Sequence, residues 1–222
     1  MTMILKSRSS RVPGVEELEN DPGYRLILEL DFNEMIPFVL DNIRRKSYIS
    51  FLYAAVNILL FVAAVLWIVI GIAGSQISWL SVFKQSLAGL FTGSILIIPI
   101  HELLHGLAYK VLGAKKVEFG ADMQQLIFFA TADRYPVSGK ELYFLAMTPF
   151  VLINLAIAVI FLVWFPHLSL YPLFLLLSHN IMCIGDFAMV NYVHHINSMV
   201  YTYDVKENKK SFFYEKIDGG EN

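Results

Sequence analysis

Residues 101–105 read His-Glu-Leu-Leu-His. Positions i and i+4 of an α-helix share a face, so His101 and His105 can hold one ion together. Neutral imidazoles suit zinc. Glu102 sits beside such a site, where its carboxylate can take a proton from an activated water. The pattern fixes three residues, and chance yields it in roughly one chain in a hundred of this composition. Its setting sharpens it. The three groups interrupt an apolar run, where ionisable side chains are costly and default to a functional reading. A structural role, hydrogen bonding between helices, suits a lone histidine better than this pair with its glutamate.

The elements that must position these residues are apolar helices. The chain has 222 residues, 56% of them hydrophobic and 16% charged, with a mean hydropathy of +0.57. A soluble domain carries about a quarter charged residues. The net charge of −2 gives no reason to expect a nucleic-acid partner. The single cysteine, Cys183, excludes a disulfide framework within one chain. Four stretches reach the about 20 residues that a bilayer crossing needs, at 48–73, 86–112, 142–165 and 170–192. Helices are the expected form, because an open strand cannot satisfy its backbone in lipid. The second stretch holds the motif. Pro99, two residues before His101, removes a backbone hydrogen bond and can open that helix, though membrane helices also carry prolines without a site.

A catalytic zinc needs a third protein ligand and an open position for water. At 1.5 Å per residue, His101 lies roughly 22 Å in from the outer end of its span, and Asp186 roughly 24 Å in from the outer end of the fourth. His179, at roughly 13 Å, is too shallow. Glu141 stands at a loop end. Depth therefore selects Asp186. His179 lies two turns from Asp186 on the same face and is a candidate for a role behind the ligands or along a substrate channel.

Seven of the 17 Lys and Arg residues lie in the N-terminal segment, five around the segment between spans two and three, and four in the tail; only Lys84 falls on the other side. The positive-inside rule then places both termini in the cytoplasm. Residues 24–32 alternate like a half-buried strand, and Asn33 is positioned to cap a short helix reaching Arg45. Residues 117–119 and 126–130 read as a β-hairpin. The expected architecture is an all-α polytopic membrane protein of four transmembrane helices, with a small cytoplasmic hairpin and a short N-terminal strand and helix. Its parts are a cytoplasmic segment at 1–47, the membrane domain at 48–195 and a cytoplasmic tail at 196–222.

The run His101-Glu-Leu-Leu-His-Gly-Leu-Ala-Tyr109, followed by Gly113-Ala-Lys-Lys-Val-Glu-Phe-Gly120, resembles a largely uncharacterised bacterial family of membrane zincin peptidases. More distantly, spans two to four are similar to the site-2 proteases. That resemblance implies zinc held by His101, His105 and Asp186, with Glu102 as general base. It likens Thr148-Pro149 and Asn154 to the Gly-Pro and Asn of the intervening span, and the hairpin to one that receives substrate. The chain departs from the pattern in three ways. Gly185 precedes Asp186 where an Asn-Pro is usual, Thr148 replaces a glycine, and a substrate-gating domain is missing.

The expected function is thus a zinc-dependent intramembrane or membrane-associated peptidase. The cofactor is Zn²⁺, and the partners are the bilayer and a membrane protein or peptide substrate. Glu102 is catalytic, and His101, His105 and Asp186 are the metal ligands. His179, Asn180, Thr148 and Asn154 are candidates for contacts behind the ligands or to substrate. The expected location is the bacterial plasma membrane. The alternative is a non-proteolytic scaffold or metal-binding protein that keeps the same helix packing. A metal store needs the ligands but not an unligated glutamate beside them. A transporter is disfavoured by four spans without an internal repeat.

Overall fold

The computed structural model describes residues 12–122, 127–164 and 169–217. After a short helix α1 (Val15–Asn20), the alternating run forms strand β1 (Tyr24–Asp31), and a single 3₁₀ turn leads into α2 (Met35–Ile43). The cap of that turn is Asp31, whose carboxylate accepts from the Asn33 N–H at 2.8 Å. Asn33, the expected cap, is instead the donor.

The first long helix, α3 (Tyr48–Ala73), opens with a reciprocal cap. The Ser47 hydroxyl accepts from the backbone of Ile49 and Ser50, and Ser50 Oγ accepts from the Ser47 N–H. Such caps matter most where water is not present to satisfy a helix end. The second long element runs from Trp79 to Val111. It comprises α4 (Trp79–Phe91), a π-helical turn (Thr92–Leu96) and α5 (Ile98–Val111). In the π turn the Ile97 N–H reaches back five residues to Thr92 O at 2.9 Å. Pro99 follows at the second position of α5, where its missing N–H costs nothing. The helix is therefore interrupted just before the motif.

Strands β2 (Glu118–Asp122) and β3 (Ile127–Thr131) form the expected hairpin. A two-residue strand, β4 (Val137–Ser138), leads into α6 (Gly139–Trp164). The last apolar stretch is broken. Helices α7 (Tyr171–Met182) and α8 (Ile184–His194) meet at Cys183 with a 44° bend. Among the described residues, three helices are long and apolar enough to cross a membrane, and the bent pair makes a fourth candidate. Their outward faces carry large apolar side chains, including Phe51 at 73% exposure and Leu162 at 75%.

Residues read from the sequence as a tail fold into strands β5 (Val200–Val205) and β6 (Lys210–Lys216). They complete an antiparallel sheet in the order β1-β6-β5-β4. One face of this sheet packs Tyr201, Tyr203, Val205 and Tyr214 around Leu18. The other packs Val200 and Phe213 against Val193 of α8. The fold is thus helical with a four-stranded sheet at one end. The chain's second half supplies three of those strands.

Two contacts fix the helices around the site. Gly89 and Gly93, four residues apart, let α4 and the π turn approach α7 at backbone distance. A Cβ on Gly93 would stand 2.4 Å from Leu175 O, and one on Gly89 2.5 Å from Tyr171 O. At the sheet end, the fully buried Asn191 of α8 donates to Asn42 O at 2.7 Å and to Arg45 O at 2.9 Å. Its Oδ1 accepts from Ser47 Oγ at 2.5 Å, tying α2 and the start of α3 to α8.

Candidate metal centre

Helix α5 presents His101 and His105 on one face, one turn apart. The bend at Cys183 brings the first turn of α8 against them. His101 Nε2 lies 3.3 Å from Asp186 Oδ2, and His105 Nε2 lies 3.3 Å from Asp186 Oδ1. The two Nε2 atoms are 3.0 Å apart. Asp186 sits in the first turn of its helix, where the dipole favours a carboxylate.

The other nitrogen of each ring is engaged away from this centre. His105 Nδ1 donates to the Leu145 carbonyl of α6 at 3.0 Å, since a carbonyl can only accept. Its Nε2 therefore carries the lone pair in the neutral ring. His101 Nδ1 faces His179 Nε2 at 3.2 Å. With the Nδ1 proton given to His179, Nε2 of His101 is likewise a lone pair aimed at the centre.

Two atoms each about 2.0–2.1 Å from a common ion and about 109° apart lie roughly 3.3 Å from one another. The two nitrogens are 3.0 Å apart and each lies 3.3 Å from a different oxygen of Asp186, spacings within a few tenths of an ångström of that value. Nitrogen lone pairs and a carboxylate facing one another this closely repel unless a cation or proton lies among them. The donor set, two imidazoles and a carboxylate, is one that zinc takes. On both counts the residues fit the ion.

A carboxylate oxygen of Glu102 stands within 4.8 Å of the imidazole nitrogens of His101 and His105. Glu102 faces the Ala130 backbone of β3, a hydrogen-bond partner. It lines two hollows. One is a cavity of about 480 Å³, which also contains His101, His105, His179 and Asp186 and runs to the sheet. The other, of about 340 Å³, lies between α5 and the hairpin, walled by Pro99, Leu103, Phe119 and Phe129.

The remaining candidates fall in different places. His179 is fully buried and in contact with His101. Its depth measured along a straight helix is misleading, because α7 ends at the bend and both its last turn and the first turn of α8 reach the centre. Cys183 joins it, with Sγ 3.6 Å from His179 Nε2, a proximity that the sequence does not announce. Asn180 and Asn154 do not line the larger cavity. They bond each other, with Nδ2 of Asn154 donating to Asn180 Oδ1 at 2.6 Å, and join α6 to α7. The Thr148 hydroxyl donates back to Phe144 O in its own helix at 2.6 Å. Glu141 accepts from Ser138 at the start of α6 and stays out of the centre.

The fold and this cluster define a mostly helical chain, with several helices apolar and long enough to cross a membrane, that brings two histidines and an aspartate together next to a glutamate. Residues 94–201, just under half of the chain, match the model of a family described as "Putative zincin peptidase". The matched span includes the motif, the hairpin, α6, α7 and α8. It supports a zinc peptidase in general terms, and a zincin implies zinc. No curated protein and no solved structure matches the chain.

Proposed function

We propose that the chain is a zinc-dependent peptidase acting within or beside a membrane, with His101, His105 and Asp186 as ligands and Glu102 as general base. The observation that carries this reading is the convergence of two imidazole nitrogens and the Asp186 carboxylate at 3.0 to 3.3 Å, with the Glu102 carboxylate close by. A zinc ion held there would acidify a water and polarise a peptide carbonyl.

The chain's own residues supply the rest. Leu145 O and His179 accept the Nδ1 protons and hold both rings with Nε2 turned inward. Glu102 receives the proton of the attacking water on its carboxylate and passes it to the departing amide nitrogen. The apolar walls of the cavity, among them Ile97, Leu145 and Met189, limit bulk water and strengthen the polar contacts inside. The smaller hollow between α5 and the hairpin meets the larger one at Glu102 and offers an extended segment a way in from the side.

The apolar faces of the long helices favour a bilayer as their surroundings. The bias of Lys and Arg favours the sheet and both termini on the cytoplasmic side of a bacterial plasma membrane. Metal analysis of the purified full chain tests the centre. About one zinc per chain is expected, lost in His101→Ala and His105→Ala. Full zinc retention in both variants would refute the assignment.

A further inference from the structure

The larger cavity does not end at the metal centre. Its far wall is the sheet, where Asp204 of β5 looks into it beside Thr202 and Ser211. Asp204 Oδ2 accepts from Thr131 Oγ1 at 2.8 Å and Oδ1 accepts from Ser211 Oγ at 2.6 Å. These hydroxyls occupy two of the roughly four acceptor positions of a carboxylate. Burial raises the Asp204 pKa above its ordinary 3.8, and the neighbouring Asp133 adds to the rise, while the two hydroxyls oppose it.

What the group lacks is a cation. Lys206 pairs with Glu118, Arg134 with Glu19 at 3.3 Å, and Lys210 with Glu29 at 2.5 Å. No Lys or Arg lines the cavity among the described residues. A sequestered carboxylate without a counter-charge is expensive. Pinning β3 to the sheet explains the two hydroxyl contacts but not the charge, since the Oδ1 of an asparagine would accept equally well. The face of Asp204 left open is the cavity itself. Tyr109 lies in the same cavity near enough to feel its charge. His101, His105 and Tyr109 follow one another at intervals of four on α5, so one helix face runs from the metal centre to this end.

We propose that Asp204, with Tyr109 beside it, forms a subsite for the ammonium or guanidinium group of a basic residue in the substrate segment. The proposal rests on the peptidase reading and names a substrate class for it. Along α5, Tyr109 stands roughly 6 to 12 Å beyond the two histidines. An extended peptide spans that in about two to four residues. The basic residue is therefore two to four positions from the cleaved bond. Membrane segments carry Lys and Arg at their cytoplasmic flanks, which is where such a residue would be met.

The test uses the full-length Glu102→Gln protein in lipid nanodiscs, which binds without cutting. The probes are labelled peptides with one apolar 20-residue segment and a flank in which one position at a time is Lys, Gln or Glu. At one register the Lys peptide binds about tenfold tighter than the Gln peptide, with Glu weakest. Adding Asp204→Asn brings the Lys peptide down to the affinity of the Gln peptide. Equal binding of Lys, Gln and Glu at every register overturns the subsite and leaves the peptidase reading standing. So does a Lys preference that survives Asp204→Asn. Failure of every peptide to bind overturns the peptidase reading and the subsite together.

Discussion

His101 Nδ1 and His179 Nε2 stand 3.2 Å apart, which joins the motif helix α5 to the last turn of α7. A ring that gives its Nδ1 proton to a fixed acceptor keeps Nε2 free for metal. Removing such an acceptor usually costs 10- to 100-fold in affinity. His179→Ala should weaken zinc binding by that factor in chelator competition. His179→Gln, whose Oε1 can accept the same proton, should recover most of it. Unchanged affinity in His179→Ala would show that the contact is packing alone.

The close approach of α4 to α7 makes a stability prediction. A methyl on Gly93 meets the Leu175 carbonyl at 2.4 Å, and backbone cannot step aside. Gly93→Ala should destabilise the protein in detergent by about 1–3 kcal/mol. Gly185 has open space around its Cβ position, so Gly185→Ala should change stability by no more than about 1 kcal/mol. Thermal unfolding of the two variants side by side decides it.

The motif and much of the framework were legible in the sequence. Histidines four apart state their shared face, and the alternation of residues 24–31 marks a strand, although a register shift between Leu26 and Leu28 leaves Leu26 exposed while Ile27 and Leu28 both pack inward. Asp186 could be found by depth, since it lies in the turn immediately past the bend. Three things were not legible. The run from Val200 to Val205 is covered on both faces and so lacks the alternation of a strand with one wet side. The bend at Cys183 carries no proline, and around it the last turn of α7 and the first turn of α8 both reach the histidine pair. Asp204 gains its setting from Thr131, 73 residues away, through a contact that no local pattern encodes.

Asp204 also sets a pH dependence. Its native pKa lies above the unfolded value near 3.8, so the folded chain holds the proton more tightly. The cost of ionising it is absent below 3.8 and grows as pH rises through the native value. Asp204→Asn removes that cost. Without peptide present, the variant should melt higher than the parent at pH 7, and the gap should close as pH is lowered toward 4. An equal gap at both pH values would mean that the charge is not its source.

Orientation can be read by labelling. Gln76, in the turn between α3 and α4, and Glu207, in the turn between β5 and β6, lie at opposite ends of the helical array. Gln76→Cys should react with an impermeant maleimide on intact cells, and Glu207→Cys only after permeabilisation. The native Cys183 is fully buried and should stay silent. The reverse pattern would put the sheet and the metal centre's cavity on the outer face. Position 124 lies outside the described residues.

In the proposed reaction Glu102 acts as base on a peptide bond beside a held metal, and Glu102→Gln isolates that role. The exchange keeps size and hydrogen bonding and removes basicity, which is worth 10²- to 10⁴-fold in rate for a general base. After a screen of co-expressed membrane peptides has found one that the parent cuts, the variant should fold, retain its zinc and lose at least about 100-fold in cleavage rate. Cleavage at the parental rate by a zinc-loaded Glu102→Gln protein would show that Glu102 is not the base. So would a deletion phenotype rescued equally by Glu102→Gln and the parent but not by His101→Ala, which would leave a metal-dependent scaffold in place of the peptidase.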